Sequence, residues 1–155
     1  SKPVSEVSAY HESVVLDMSD QPMKIDSLAD IQFTMKIPED DTGIVQFSNI
    51  KGELVTISLD RRKQEVTVDR SQSGDVSFHE SFIDLHIAPY ELGESTRLRV
   101  LLDVNSIELF LDNGALVITE LIFPSVPFNM ISTKPSPEEV EIFSLPSIWA
   151  TEMAN

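Results

Sequence analysis

The chain has 155 residues, 41% of them hydrophobic, and a formal charge of -15 from 26 acidic against 11 basic residues. A chain of this length buries roughly 70% of its unfolded surface on folding, enough for one independent core. So negative a field repels phosphate backbones and anionic lipid headgroups alike, which makes nucleic acid and membrane surfaces poor partner candidates. The absence of cysteine rules out disulfides, thiol nucleophiles and thiolate metal sites. It leaves the compartment open, a secreted or periplasmic protein included. No apolar run approaches the roughly 20 residues of a membrane span, and the N-terminal S-K-P-V-S-E-V lacks the basic-then-apolar layout of a signal peptide.

Residues 1–13 carry no clear period and read as a linker or a leading strand. Val14 to Met18 is a short apolar strand candidate, broken by Asp20-Gln21-Pro22. Ile31 to Ile37 alternates apolar with polar residues throughout, as a strand with one buried face does. Pro38 to Gly43 reads as a loop, Ile44 to Phe47 and Leu54 to Leu59 as strands, and Glu65 to Asp69 as the partner of the latter across Arg61-Arg62-Lys63. Arg70 to Gly74 is a turn-forming stop. Asp75 to Glu94 is less regular, a long connection with one strand near Leu85 and with Phe78, Phe82, Ile83 and Ile87 among its apolar anchors.

Arg97 to Pro124 is the most legible stretch. Three apolar runs, Leu98 to Leu102, Ile107 to Leu111 and Ala115 to Phe123, are separated only by Asp103 to Ser106 and by Asp112-Asn113-Gly114. Runs this short are strands in an antiparallel meander, and Asn113-Gly114 predicts a primed hairpin turn because both residues accept positive φ at low cost. A Pro- and Ser-rich loop follows Pro124, and Val140 to Leu145 closes the chain as another alternating strand. No helical period survives two turns. About ten to twelve short strands in one unit, residues 14–155, imply an all-β, two-sheet antiparallel β-sandwich with jelly-roll or concanavalin A-like connections.

Chemistry-bearing patterns are sparse. His11, His79 and His86 have no ligand spacing, so no metal or other cofactor is expected. The five glycines all fall in expected turns rather than a phosphate loop. Ser77-Phe78-His79-Glu80 contains the letters of a triad without a strained elbow. Glu39-Asp40-Asp41 and Glu138-Glu139 sit in loops with nothing to separate their pKa values, and read as solvated.

V-D-R-S-Q-S-G at Val68 to Gly74, L-R-V-L-L-D-V-N-S-I-E-L-F-L-D-N-G at Leu98 to Gly114 and T-E-L-I-F-P at Thr119 to Pro124 together resemble the C-terminal β-sandwich domain of family 32 glycoside hydrolases, the invertases, levanases and inulinases. P-V-S-E at Pro3 to Glu6 resembles the linker that leaves that family's catalytic domain, and L-P-S-I-W at Leu145 to Trp149 its last strand. Val104-Asn105 departs from the family pattern, which often has a basic residue and Ser there. The resemblance implies a parent that is a retaining glycosidase acting on fructans or sucrose from a catalytic β-propeller. The family's Arg-Asp-Pro and Glu-Cys motifs do not occur in this chain, and a retaining glycosidase needs two carboxyl groups about 5 Å apart across the anomeric carbon. The chain by itself is therefore expected to be non-catalytic: an accessory domain that stabilises the propeller and borders its substrate cleft.

The alternative reading is a carbohydrate-binding module for levan, inulin or terminal fructose. Such a site grips hydroxyl pairs with carboxylates and Arg and stacks an aromatic ring against the sugar. The candidates are Asp69, Arg70 and Glu108, with Tyr90 among the accessible aromatics beside Tyr10 and Trp149. Against this stands a structural ion pair of Arg70 with Asp69 or Glu108, pinning the hairpin. Trp149 reads as packed under the chain's end. Phe33, Phe47 and Phe110 read as core or interdomain residues.

Overall fold

The computed structural model describes residues 11–14, 22–74, 85–137 and 139–144. In chain order the strands are β1 (His11–Val14), β2 (Met23–Lys24), β3 (Ala29–Lys36), β4 (Thr42–Ser48), β5 (Leu54–Asp60), β6 (Glu65–Asp69), β7 (Leu85–Pro89), β8 (Ser95–Leu102), β9 (Ser106–Leu111), β10 (Leu116–Leu121), β11 (Met130–Lys134) and β12 (Val140–Ser144). They form two six-stranded sheets, a front sheet in the order β1-β12-β3-β8-β9-β10 and a back sheet in the order β2-β11-β4-β5-β6-β7. Every pairing is antiparallel. The two-sheet antiparallel sandwich expected from the sequence is the fold observed.

Alternation decides which side chains enter the core. In β3 Ile31, Phe33 and Met35 point inward, in β8 Leu98, Val100 and Leu102, and in β9 Ile107, Leu109 and Leu111. The back sheet answers with Val45 and Phe47 of β4, Val55, Ile57 and Leu59 of β5, and Val66 and Val68 of β6. Phe33 and Phe47 are fully buried, and truncating either to Ala would cost about 3 to 5 kcal/mol in lost transfer energy and cavity formation. Phe110 corrects the reading as a core residue. Its fifth place in β9, on the same parity as Ser106 and Glu108, turns it to the outer face, where it is half-buried.

Three local expectations change. Gly43 lies inside β4, not in a turn, and a Cβ built there would come within 2.5 Å of Met35 Sδ and 2.7 Å of Ile37 Cδ1. The missing side chain is what lets the two sheets meet there. The β9–β10 connection spans four residues, not two: Leu111 pairs with Leu116, and Ala115 N–H donates to Leu111 O at 2.9 Å. Asp112 (φ 48°), Asn113 (φ 61°) and Gly114 (φ 96°) are all left-handed. Finally, the Pro- and Ser-rich loop after Pro124 contains β11, which pairs with both β2 and β4.

Of the Val14 to Met18 strand, residues 15–18 lie outside the described residues. So do Pro3 to Glu6, Tyr10, the side chain of His11, Ser77 to Glu80, Phe82, Ile83, Glu138 and Leu145 to Trp149.

Candidate functional site

β6 ends at Asp69, and the turn that follows sends Arg70 inward while Asp69 stays on the outer face of the back sheet. Asp69 Oδ1 accepts from Ser71 N–H at 2.9 Å and from Ser71 Oγ at 2.7 Å. That contact closes the turn. The guanidinium, only 7% exposed, pairs with Glu120 of β10 at 3.2 Å, and its Nη1 donates to Leu121 O at 2.7 Å. Glu120 Oε1 lies 2.5 Å from His86 Nδ1 on β7. The expected partners of Arg70 were Asp69 or Glu108. Glu120 takes their place because it falls on the inward parity of β10, between Ile118 and Ile122, and a buried carboxylate must find a cation. Arg70, Glu120 and His86 thus tie the front sheet's edge strand to the back sheet's edge strand.

A second tie lies further along the same edge. Tyr90, just past β7, donates its hydroxyl to Asp112 Oδ2 at 2.6 Å, and Arg97 N–H donates to Asp112 Oδ1 at 2.9 Å. Desolvation, then the hydrogen bond to Asp112 and the charge of its carboxylate, push the Tyr90 hydroxyl up to about 12. The left-handed turn aims the Asp112 carboxylate at both partners. Glu108, by contrast, stands on the outer face of the front sheet, where Thr119 Oγ1 reaches its Oε2 at 3.5 Å.

The four sequence candidates therefore have four separate surroundings and do not converge. Glu120 and Asp112 escaped the sequence reading, and His86 was read there without a partner. The signal for Glu120 was present in the motif T-E-L-I-F-P, a carboxylate at an apolar position of the alternation. A third polar knot joins the β4–β5 turn to the Pro-rich segment. Hydrogen bonds from Asn49 Nδ2 at 2.9 Å and from Ser125 N–H and Oγ at 2.8 and 3.0 Å hold the Glu53 carboxyl below its ordinary range.

The outer face of the front sheet carries other chemistry. Arg99 makes a bidentate pair with the buried Asp30, Nε to Oδ1 at 3.1 Å and Nη2 to Oδ2 at 2.8 Å, and its guanidinium carbon sits 5.9 Å from the centre of the Phe110 ring. Arg97 Nη2 donates to Gln32 Oε1 and to Glu141 Oε1, both at 3.3 Å. A shallow cavity of about 440 Å³ opens beside Arg97, Arg99 and Phe110. Among the described residues no group of three or more His, Asp or Glu side chains is placed to hold a metal ion, and no helix is long and apolar enough to cross a membrane.

The family described as glycosyl hydrolases family 32 C terminal matches residues 5–149. The chain belongs to that family. An extracellular exo-inulinase of Aspergillus awamori is 33% identical over 104 residues, which cover 63% of this chain and 19% of that protein. A levanase of Bacillus sp. (strain L7) is 29% identical over 109 residues, 66% of this chain and 12% of that one. The structure of sucrose-6-phosphate hydrolase from Lactobacillus gasseri superposes with a TM-score of 0.75 at 17% identity, covering 94% of this chain and 30% of that one, a likeness of fold. The chain thus spans about a fifth or less of the length of these curated relatives. As a family 32 C-terminal domain it is the non-catalytic portion of a glycosidase family.

Proposed function

We propose that this chain is the accessory sandwich of a fructan- or sucrose-cleaving glycosidase, packed against the catalytic β-propeller of the same polypeptide, stabilising it and bordering its cleft. One observation carries the reading. Of the six large apolar side chains left exposed among the described residues, four stand on edge strands, Leu85 (45%) and Ile87 (51%) on β7 and Val117 (49%) and Leu121 (57%) on β10, while Ile50 and Val104 lie in turns. Apolar carbon at Leu85, Ile87 and Leu121, on the two edge strands that the buried Arg70–Glu120–His86 tie joins, suits a partner surface better than water. Residues 1–13 then serve as the connection, of which His11 to Ser13 already pair in β1. The cutting chemistry belongs to the partner domain, since this chain lacks the family's catalytic motifs.

The test is to mix this chain with a separately produced propeller of its polypeptide. Association that raises the propeller's melting temperature, and that Ile87→Glu and Leu121→Glu each weaken at least about tenfold, is the expected result; association indifferent to both replacements, or none, overturns it. A second reading, a module that holds fructan, is favoured by the guanidinium, amide and aromatic groups collected on the outer face of the front sheet.

A further inference from the structure

Strand register sets one row of outward side chains straight across the front sheet. Glu141 of β12 lies opposite Gln32 of β3, Gln32 opposite Arg99 of β8, Arg99 opposite Phe110 of β9, and Phe110 opposite Val117 of β10. With strands about 4.8 Å apart, the row is about 19 Å long. Its β12 end is made of hydrogen-bonding groups and its β10 end of apolar carbon. The cavity beside Phe110 lies over the middle of the row, and Arg97 also lines a second cavity of about 420 Å³ that continues toward Thr34, Pro135 and Glu141. Arg97 thus stands between two halves of one shallow groove.

The polar members of the groove are braced before any ligand arrives. Asp30 fixes Arg99, and Gln32 and Glu141 together hold Arg97 through a single nitrogen, Nη2. Bracing of this kind lowers the ordering cost of binding. The charges cancel locally, Arg97 and Arg99 against Glu141 and Asp30, although the chain as a whole carries -15. An anion would compete with carboxylates already in place, and a cation would meet two guanidinium groups. A neutral molecule rich in hydroxyls suits both halves: donors and acceptors for its hydroxyls, and the carbon of Phe110 and Val117 for the apolar face of a ring.

We propose that this groove binds a short neutral oligosaccharide laid across the strands, with Arg97 and Gln32 contacting hydroxyls and Phe110 and Val117 supporting a ring. That the sugar is a fructan rests on the second reading above; the groove itself does not. The experiment is calorimetric titration of the chain with inulin-type, levan-type, cello- and malto-oligosaccharides, alongside Phe110→Ser, Val117→Arg and, as a control on the other sheet, Leu85→Ser. Saturable binding of a fructan oligosaccharide, weakened at least about tenfold by Phe110→Ser or Val117→Arg and unchanged by Leu85→Ser, is the expected result. Val117 is half-exposed, so Val117→Arg blocks the apolar end without disturbing the core. Binding of a glucan instead, with the same sensitivity, upholds the groove and overturns the fructan assignment. Silence with all four sugars, or binding indifferent to both replacements, overturns the groove and leaves the accessory reading to its own test.

Discussion

The outer faces of the two sheets are built on the same ladder and end up different. On the front sheet the row reads Glu141, Gln32, Arg99, Phe110, Val117; on the back sheet the corresponding register reads Ser132, Gln46, Thr56, Asp69, Leu85. Both alternate with an inward row, buried in every strand except the half-buried one of β7. The back row is mostly short side chains that reach no further than the adjoining strand or their own turn, as Gln46 Nε2 of β4 does to Thr56 Oγ1 of β5 at 3.0 Å and Asp69 does to Ser71. The front row has side chains long enough to lean across two strands and lock one another, and cavities form between them. Alternation alone therefore makes a solvated surface. Reach and cross-bracing are what make a surface into a site.

That comparison can be sharpened by mutation, beginning where the two sheets are joined. Glu120→Ala removes one carboxylate partner of the Arg70 guanidinium, which is 7% exposed, and also the partner of His86, and should cost about 3 kcal/mol in urea unfolding, the largest effect expected here. Arg99→Ala should cost about 2 kcal/mol, because it leaves a carboxylate 2% exposed with only the long hydrogen bonds from Gln32. A loss as small as that of a back-face hydroxyl would show that the bracing is decorative.

Tyr90→Phe should cost about 1 kcal/mol near neutral pH by deleting one hydrogen bond to Asp112. Its pH dependence is the sharper readout. The folded hydroxyl titrates near 12 against an unfolded value of 10, so the wild type holds this contribution in full below pH 10 and loses it as pH rises toward 12. Urea midpoints measured between pH 8 and 11 should fall more steeply in wild type than in Tyr90→Phe. The smallest effect belongs to the back face: Thr67→Ala should shift stability by no more than about 0.5 kcal/mol. A larger value there would erase the distinction between the two faces.

Much of the fold was legible because its core strands are long and strictly alternating. Ile31 to Ile37, Leu98 to Leu102 and Glu65 to Asp69 are strands within three residues of where the pattern puts them. β11 was hidden by its setting. Pro124, Pro127, Pro135 and Pro137 surround it, and its second inward residue is Thr133, 4% exposed, so the apolar half of the alternation is a single Ile131. β2 has two residues and no period at all. The hairpin after β9 was correctly placed, but Asp112 joined the left-handed run for a reason no local rule carries: its carboxylate serves Tyr90 and Arg97, distant in sequence.

The site was harder to read, because partners across the sandwich leave no mark on local sequence. Arg70 stands next to Asp69 in the chain, but β6 ends between them and turns the two side chains to opposite sides. Phe110 reads as core on composition, and only the parity of β9 sends it outward. Arg97 and Arg99 announce nothing until register sets them beside Gln32, Glu141 and Phe110.

The placement of β12 carries a consequence for biosynthesis. It is hydrogen-bonded on one side to β1 and on the other to β3, whose residues precede it by more than a hundred positions. A ribosome emitting this polypeptide will have exposed the apolar row of Ile31, Phe33 and Met35 long before Val140 to Ser144 emerge to pair alongside it. Long-range pairing of this kind slows folding into the millisecond-to-second range, and it leaves a sticky, half-walled nascent chain whose safe completion depends on a strand made more than a hundred residues later.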